Sequence, residues 1–294
     1  MTPARDPIRL FGTTFQNPIL LAAGTAGFGR ELADVVDLER LGGIVTKSVS
    51  PAPRAGHPPP RVAEFAAGML NAVGLANPGL EVAAERELPW LARHTRRARV
   101  LVSVVGGTVD EFVTVVRRLD AHDVVTAFEL NVSCPNTSRG GEEFSADQRI
   151  LSDLVARCRE AGTKPLIVKL PPVLPDLPGA VLAAERAGAD GVALVNTLPG
   201  TLYREGGVAR GRESRLGFGQ GGVSGPALLP AGVLATRRAR ERTDLPIIGV
   251  GGVCTIDDVY QYLAAGANLV AVGTAGLAHP RLPERLAARW NRGG

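Results

Sequence analysis

The chain is expected to fold as an α/β protein, a closed (β/α)8 (TIM) barrel. Three observations predict it: eight short apolar runs, helical-period segments between them, and a sequence echo ahead of two of the runs. The runs are 19–23, 43–47, 100–105, 127–133, 165–170, 191–196, 246–251 and 269–273. They are apolar at nearly every position rather than at alternate ones, as strands covered on both faces must be, which points to a parallel sheet. Segments 110–119, 147–161, 177–187, 256–265 and 282–290 place apolar residues at helical spacing. The echo is Ala187-Gly188-Ala189-Asp190-Gly191-Val192 against Ala265-Gly266-Ala267-Asn268-Leu269-Val270, each a helix ending at Gly before a strand begins.

Ahead of the first run, 8–10 and 13–15 flank Phe11-Gly12 and read as a small N-terminal hairpin closing the lower end of the barrel. Two connections are longer than a barrel needs: 48–79, rich in Pro and Gly, and 197–225, rich in Gly and Arg. Long ordered loops on a rigid scaffold carry function, so both are expected over the C-terminal face. With 294 residues, 45% of them hydrophobic, and no linker-like change of composition, the whole of 1–294 is expected to form one domain. Thirty-six Gly and only 4% aromatics suit many tight turns around an aliphatic core.

The formal charge of +4 is carried by Arg scattered along helical segments, with no block of like charge, and is read as a solvated surface rather than a nucleic-acid face. No run approaches the ~18 uninterrupted apolar residues of a membrane span, and the N-terminus shows no signal pattern. Three widely spaced cysteines, Cys134, Cys158 and Cys254, are too few for an iron-sulfur cluster or structural zinc and suit a reducing, cytoplasmic setting. No metal site is expected. His57, His94, His122 and His279 are dispersed, and surface or capping roles suffice for them.

In such a barrel the active site lies at the carboxyl ends of the strands. Those ends carry Thr46-Lys47-Ser48, Asn131 and Ser133, Lys169, and Asn196-Thr197. Only three residues of the chain are Lys, and two of them, Lys47 and Lys169, converge on this mouth. Any single polar strand end is accounted for by contact with water; the set is not. The run Asn131-Val132-Ser133-Cys134-Pro135-Asn136 puts a thiol between two side-chain amides. Paired Asn can match the alternating N–H and C=O edge of a pyrimidine-like ring, and a Cys with a stabilised thiolate can take a proton from it. The same run can also be a simple turn, with Pro ending the strand. The Gly249-Val250-Gly251-Gly252 and Gly273-Thr274 turns, with 221–226 opening the preceding helix, place backbone amides where barrels of this kind hold phosphate.

Taken together these residues resemble the dihydroorotate dehydrogenases over about 15–275. The matching segments are NPILLAAGTAGFG (17–29), VTKS (45–48), PPPR (58–61), GMLNAVGLAN (68–77), ELNVSCPN (129–136), IVKL (167–170), VNT (195–197), GGVSGPA (221–227) and GVGGV (249–253). Cys at position 134 resembles class 1 of that family, and the continuation 137–141 is most similar to class 1B, the NAD-linked catalytic subunit. Thr201 and Phe218 depart from the class 1B pattern at the expected subunit surface.

The resemblance implies FMN as cofactor, held by Ala23, Gly24, Lys47, Ser48, Asn131 and Lys169, with its phosphate at Gly225, Gly251, Gly252, Gly273 and Thr274. It implies dihydroorotate as substrate, held by Lys47, Asn71, Leu75, Asn131, Asn136, Asn196 and Thr197, with Cys134 as general base. It also implies an iron-sulfur, FAD-binding electron-transfer subunit and a homodimer or heterotetramer. Cys158 and Cys254 are read as packing residues. The alternatives are a fumarate-linked class 1A enzyme, another FMN barrel acting on a dihydropyrimidine, and a non-catalytic FMN-binding barrel.

Overall fold

The computed structural model describes residues 7–133, 135–136, 142–204 and 213–293, the strand pairs at 135–136 and 142–143 by their backbone alone. Eight strands close into a barrel: β1 (Ile19–Leu21), β2 (Gly43–Val45), β3 (Arg99–Val104), β4 (Val125–Asn131), β5 (Leu166–Leu170), β6 (Gly191–Leu194), β7 (Ile247–Val250) and β8 (Leu269–Val272). Each pairs in parallel with its neighbour in sequence, and β8 closes on β1 through Val270↔Ile19, Ala271↔Leu20 and Val272↔Leu21. This is the expected (β/α)8 barrel.

Side chains alternate between the two faces of a strand, so one residue in two points into the barrel. Leu20, Val45, Leu101, Ala127, Ile167, Ala193, Ile248 and Leu269, one from each strand, form the inner cluster. Their neighbours, among them Ile19, Ile44, Val102, Phe128, Val168 and Val270, belong to the larger core beneath the helices. The hairpin of Ile8–Leu10 and Thr13–Phe15 is antiparallel, and Ile8, Leu10 and Phe11 pack against the inner cluster, which includes Phe15. The lower end is therefore plugged with hydrocarbon, and the polar strand ends lie at the other.

The outer helices begin where short polar side chains can accept the free N–H groups of a first turn. Thr108 caps Val109–Leu119, Asp147 caps Gln148–Ala161, Asp176 caps Leu177–Arg186, and Thr255 with Asp258 makes a capping box for Ile256–Ala264.

Three features differ from the sequence expectation. The connection after β1 contains only two 3-10 turns, Arg30–Leu32 and Leu38–Arg40, in place of an α-helix. The last helix, Leu282–Asn291, packs against β1 and the second turn and covers that face, with Glu284 accepting the Asp37 N–H at 2.7 Å. The two long connections are not plain loops. They contribute Leu198–Gly200, Gly221–Ser224, Gly68–Asn71 and Val62–Phe65 to one antiparallel sheet, in that order, over a small core of Ala63, Leu70, Ala72 and Leu216. Finally, several barrel strands are shorter than their apolar runs, because residues such as 46–47 and 195–196 leave the regular strand.

Candidate active site

The alternation that builds the core also builds the site. On β4, Ala127, Glu129 and Asn131 share the inner face; on β5, Ile167 and Lys169 do. The register sets Lys169 beside Asn131 and Ile167 beside Glu129, so the longer Lys169 side chain reaches one layer down. Its Nζ lies 3.4 Å from Glu129 Oε1, with side-chain exposures of 8% and 1%. An ion pair this deep carries a large desolvation cost, which close approach of opposite charges offsets.

Lys47 follows β2 and is placed differently. Its backbone N–H donates to Gly27 O at 2.6 Å, while its ammonium has no partner among the described residues. Burial pushes its pKa below the ordinary lysine value, nearby Arg61 adds to the fall, and Glu31 opposes it. The site therefore contains a partly buried cation with no ion pair among the described residues, Glu31 acting on it only from a distance, which suits an incoming anion. Beside it Ser48 Oγ lies 2.9 Å from Ser103 Oγ.

Asn196 Nδ2 donates to Asn131 Oδ1 at 3.1 Å, and its own Oδ1 accepts the Thr197 N–H at 2.8 Å. Among the described residues the second amide hydrogen of Asn196 and those of Asn131 meet no acceptor, which leaves them for a ligand. From the overlying sheet, Asn71 Nδ2 donates to Gly222 O at 3.2 Å. Leu75 stands nearby with a φ of 56°.

The far side of the site is made of turns. Gly251 and Gly252, after β7, have φ of 121° and 75°, and Thr274–Ala278 begins directly after β8. The N–H groups of Gly252, Gly273 and Thr274 donate to no described residue. Thr274 Oγ1 donates to Ser224 Oγ at 2.7 Å, tying this corner to the sheet.

Most of these groups, though not Glu129 or Ser103, open on one cavity of about 640 Å3, a size typical of small-molecule and cofactor sites. Ala23, Gly24, Lys47, Ser48, Asn71, Leu75, Asn131, Lys169, Asn196, Thr197, Gly225, Gly251, Gly252, Gly273 and Thr274 line it, so every expected site residue with a described side chain converges there. Cys134 lies outside the described residues, as does the side chain of Asn136.

The cavity has features a phosphorylated planar ring needs. A Cβ on Gly24 would meet nothing within 4 Å, and one on Gly273 only Ala22 Cβ at 3.8 Å, so a flat surface is left free at this wall. The free N–H groups of the two turns suit phosphate oxygens. Ser133 Oγ is buried with no hydrogen-bond partner among the described residues, as a group awaiting a ligand would be. The residues present thus fit FMN.

Several lining residues escaped sequence reasoning. His57, expected at the surface, lines the cavity and stacks on Phe218, with ring centroids 3.7 Å apart and planes 7° from parallel. The two residues come from different long connections, and only their pairing in the overlying sheet brings them together. Cys254 also reaches the wall, and burial, with Asp258 nearby, raises its thiol pKa. Glu129 was visible only as part of a strand. Its signal was a carboxylate inside an otherwise apolar run, two residues before Asn131.

A family profile described as Dihydroorotate dehydrogenase matches residues 7–288. The chain is 42% identical over 282 residues to the Listeria monocytogenes "Dihydroorotate dehydrogenase B (NAD(+)), catalytic subunit", covering 96% of this chain and 91% of that protein. It is 43% identical to the protein of the same description from Desulforudis audaxviator, covering 97% and 91%. The Lactiplantibacillus plantarum "Dihydroorotate dehydrogenase A (fumarate)" matches at 42% identity over 94% and 89%. A crystal structure of DHODH in complex with ferulenol from Eimeria tenella shares the fold, with a TM-score of 0.79 at 22% identity, covering 97% of this chain and 83% of that one.

Proposed function

Because this chain belongs to the dihydroorotate dehydrogenase family, we propose that it oxidises dihydroorotate to orotate in pyrimidine biosynthesis, with FMN as cofactor, as a class 1B catalytic subunit. The observation that carries the reading is the convergence of Lys47, Lys169 and the Asn131–Asn196 pair on a cavity whose far wall offers unpaired backbone N–H groups.

Dihydroorotate is a planar-edged ring with amide groups and one carboxylate. The unpaired Lys47 ammonium meets the carboxylate, and Asn71, Asn131, Asn136 and Asn196 present donors and acceptors to the amide edges. Leu75 and Thr197 complete the substrate wall. Ala23, Gly24, Ser48 and Lys169 hold the flavin ring, and Gly225, Gly251, Gly252, Gly273 and Thr274 its phosphate. FMN, when bound, supplies the acceptor for the hydride leaving C6.

The Cys134 thiolate takes the proton from C5 and becomes a thiol, so one proton and one hydride leave and the C5–C6 double bond of orotate forms. Lys169 places a positive charge where negative charge develops on the cofactor, an arrangement worth more in a site shielded from water. The buried Glu129 keeps that cation in place.

The acceptor beyond FMN is assigned to an iron-sulfur, FAD-binding partner subunit that passes electrons to NAD, in a homodimer or heterotetramer. The relatives described as NAD(+) catalytic subunits support a partner subunit and NAD as the final acceptor. The fumarate-linked relative, of nearly the same identity, supports a second reading in which fumarate takes the electrons.

The test is anaerobic. Purified protein should be yellow, and dihydroorotate should bleach its flavin band within the dead time of manual mixing; a flavin left oxidised rejects the activity. Reoxidation by fumarate without any partner would then select the second reading over class 1B.

A further inference from the structure

The helix Ile256–Ala264 lies outside the barrel, and of its three buried side chains, Ile256, Val259 and Tyr262, one is not aliphatic. Tyr262 is fully buried, the largest such side chain in the described structure. Its ring lies in a slot that two glycines leave open. A Cβ on Gly249 of β7 would come 2.3 Å from Tyr262 Cδ1, and one on Gly232 of the helix Leu229–Arg240 would come 1.9 Å from the hydroxyl oxygen. Nothing about packing alone requires an oxygen at the end of this ring.

That oxygen reaches the turn after β7. Tyr262 Oη lies 2.9 Å from Val250 O and 2.8 Å from Gly251 O, and its one hydrogen is shared between the two carbonyls. Val250 O already accepts the Val195 N–H at 2.8 Å, whereas Gly251 O takes no other donor among the described residues. A trans peptide is planar, with C=O and N–H pointing to opposite sides. Holding Gly251 O against the helix therefore turns the Gly252 N–H the other way. Gly252 lines the cavity, and its N–H has no acceptor among the described residues. At glycine the neighbouring dihedrals are otherwise loosely held, so this peptide needs an external restraint to keep one orientation. Burial, and Asp258 nearby, push the phenol pKa up, so the hydroxyl stays protonated and remains a donor.

We infer that Tyr262 is a positioning residue for the anion-binding turn: its buried hydroxyl fixes the Gly251–Gly252 peptide so that the Gly252 N–H is presented to the phosphate of FMN. The inference rests on the FMN reading above. It concerns a residue that touches neither cofactor nor substrate and acts through one peptide plane.

The test compares two flavins on the apoprotein. FMN and riboflavin share the ring and differ by the phosphate, so their affinities, read from quenching of flavin fluorescence, isolate the phosphate contribution. Tyr262→Phe keeps the ring in its slot and removes only the hydroxyl. It should weaken FMN binding about tenfold, the scale of one misaligned hydrogen bond to a charged group, and leave riboflavin affinity within about twofold. Tyr262→Leu, also lacking the hydroxyl, should show the same selective loss and decides the matter if the Phe variant does not fold. Equal loss for both flavins, or none for FMN, overturns the positioning role while the FMN reading stands. Wild-type apoprotein that takes up no FMN overturns both.

Discussion

Lys169→Met should cost more stability than its size suggests, and the cost should vanish when Glu129 is removed as well. The two charged groups are 3.4 Å apart, so their attraction at an effective dielectric constant of about 20 is about 5 kcal/mol. In the folded protein this offsets the desolvation of both. Removing Lys169 alone leaves a carboxylate with 1% exposure and no counter-ion, a change that costs about 3–5 kcal/mol. Replacing both, as Lys169→Met with Glu129→Leu, exchanges a buried pair for hydrocarbon of similar volume and should fall within about 1–2 kcal/mol of wild type. The assay is urea unfolding of the apoprotein followed by far-ultraviolet circular dichroism. With a slope of about 3 kcal/mol/M, the single variant should unfold about 1 M earlier than wild type and the double variant close to it. A coupling energy of at least about 2 kcal/mol is expected from the cycle. If the single-variant losses simply add, to within about 0.5 kcal/mol, the two groups do not depend on each other and the electrostatic account is refuted.

Three further outcomes follow from the same geometry. Lys47 carries a lowered pKa, so its charge disappears as pH rises through a value below the ordinary lysine range. Orotate affinity measured by flavin absorbance should therefore fall on the alkaline side earlier than an ordinary lysine would allow, and Lys47→Met should bind weakly at every pH and lose that dependence. Gly252→Ala adds a Cβ 2.6 Å from the backbone nitrogen of Leu229 at a φ of 75°, so FMN content after purification should drop at least about tenfold with the circular dichroism of the barrel unchanged. Cys134→Ala should retain FMN yet slow its anaerobic reduction by dihydroorotate about 10²–10⁴-fold, the usual contribution of a positioned base, in stopped-flow absorbance.

The barrel was legible because its signal is local. Eight nearly continuous apolar runs can hardly be placed except in a sheet covered on both faces, and the strand order then follows chain order. The polar strand ends were legible for the same reason, since a lysine such as Lys169 at the end of Leu166–Leu170 has only the mouth to enter. What the chain did not display is what depends on distant partners. Gly68–Asn71 and Gly221–Ser224 are four residues each and begin at Gly, so neither reads as a strand until the other pairs with it. His57 reads as an ordinary surface histidine because Phe218, its stacking partner, lies in the other long connection. The missing first helix was hidden likewise, because the element that replaces it is the last in the chain.

In the proposed function the two lysines at the mouth serve different electrostatic demands, and the protein separates them by what it leaves unpaired. A permanent anion such as a substrate carboxylate is best met by a cation with no counter-ion of its own, and Lys47 is such a cation among the described residues. A charge that exists only during turnover poses the opposite problem, since a bare buried cation would be costly whenever that charge is absent. Lys169 avoids this by resting against Glu129. The carboxylate is behind it, in the barrel interior and outside the cavity lining, so the ammonium keeps a face toward the ligand. A glutamate inside an apolar strand, an apparent fault in the pattern of β4, thus makes it possible to keep a second cation in a site with little water.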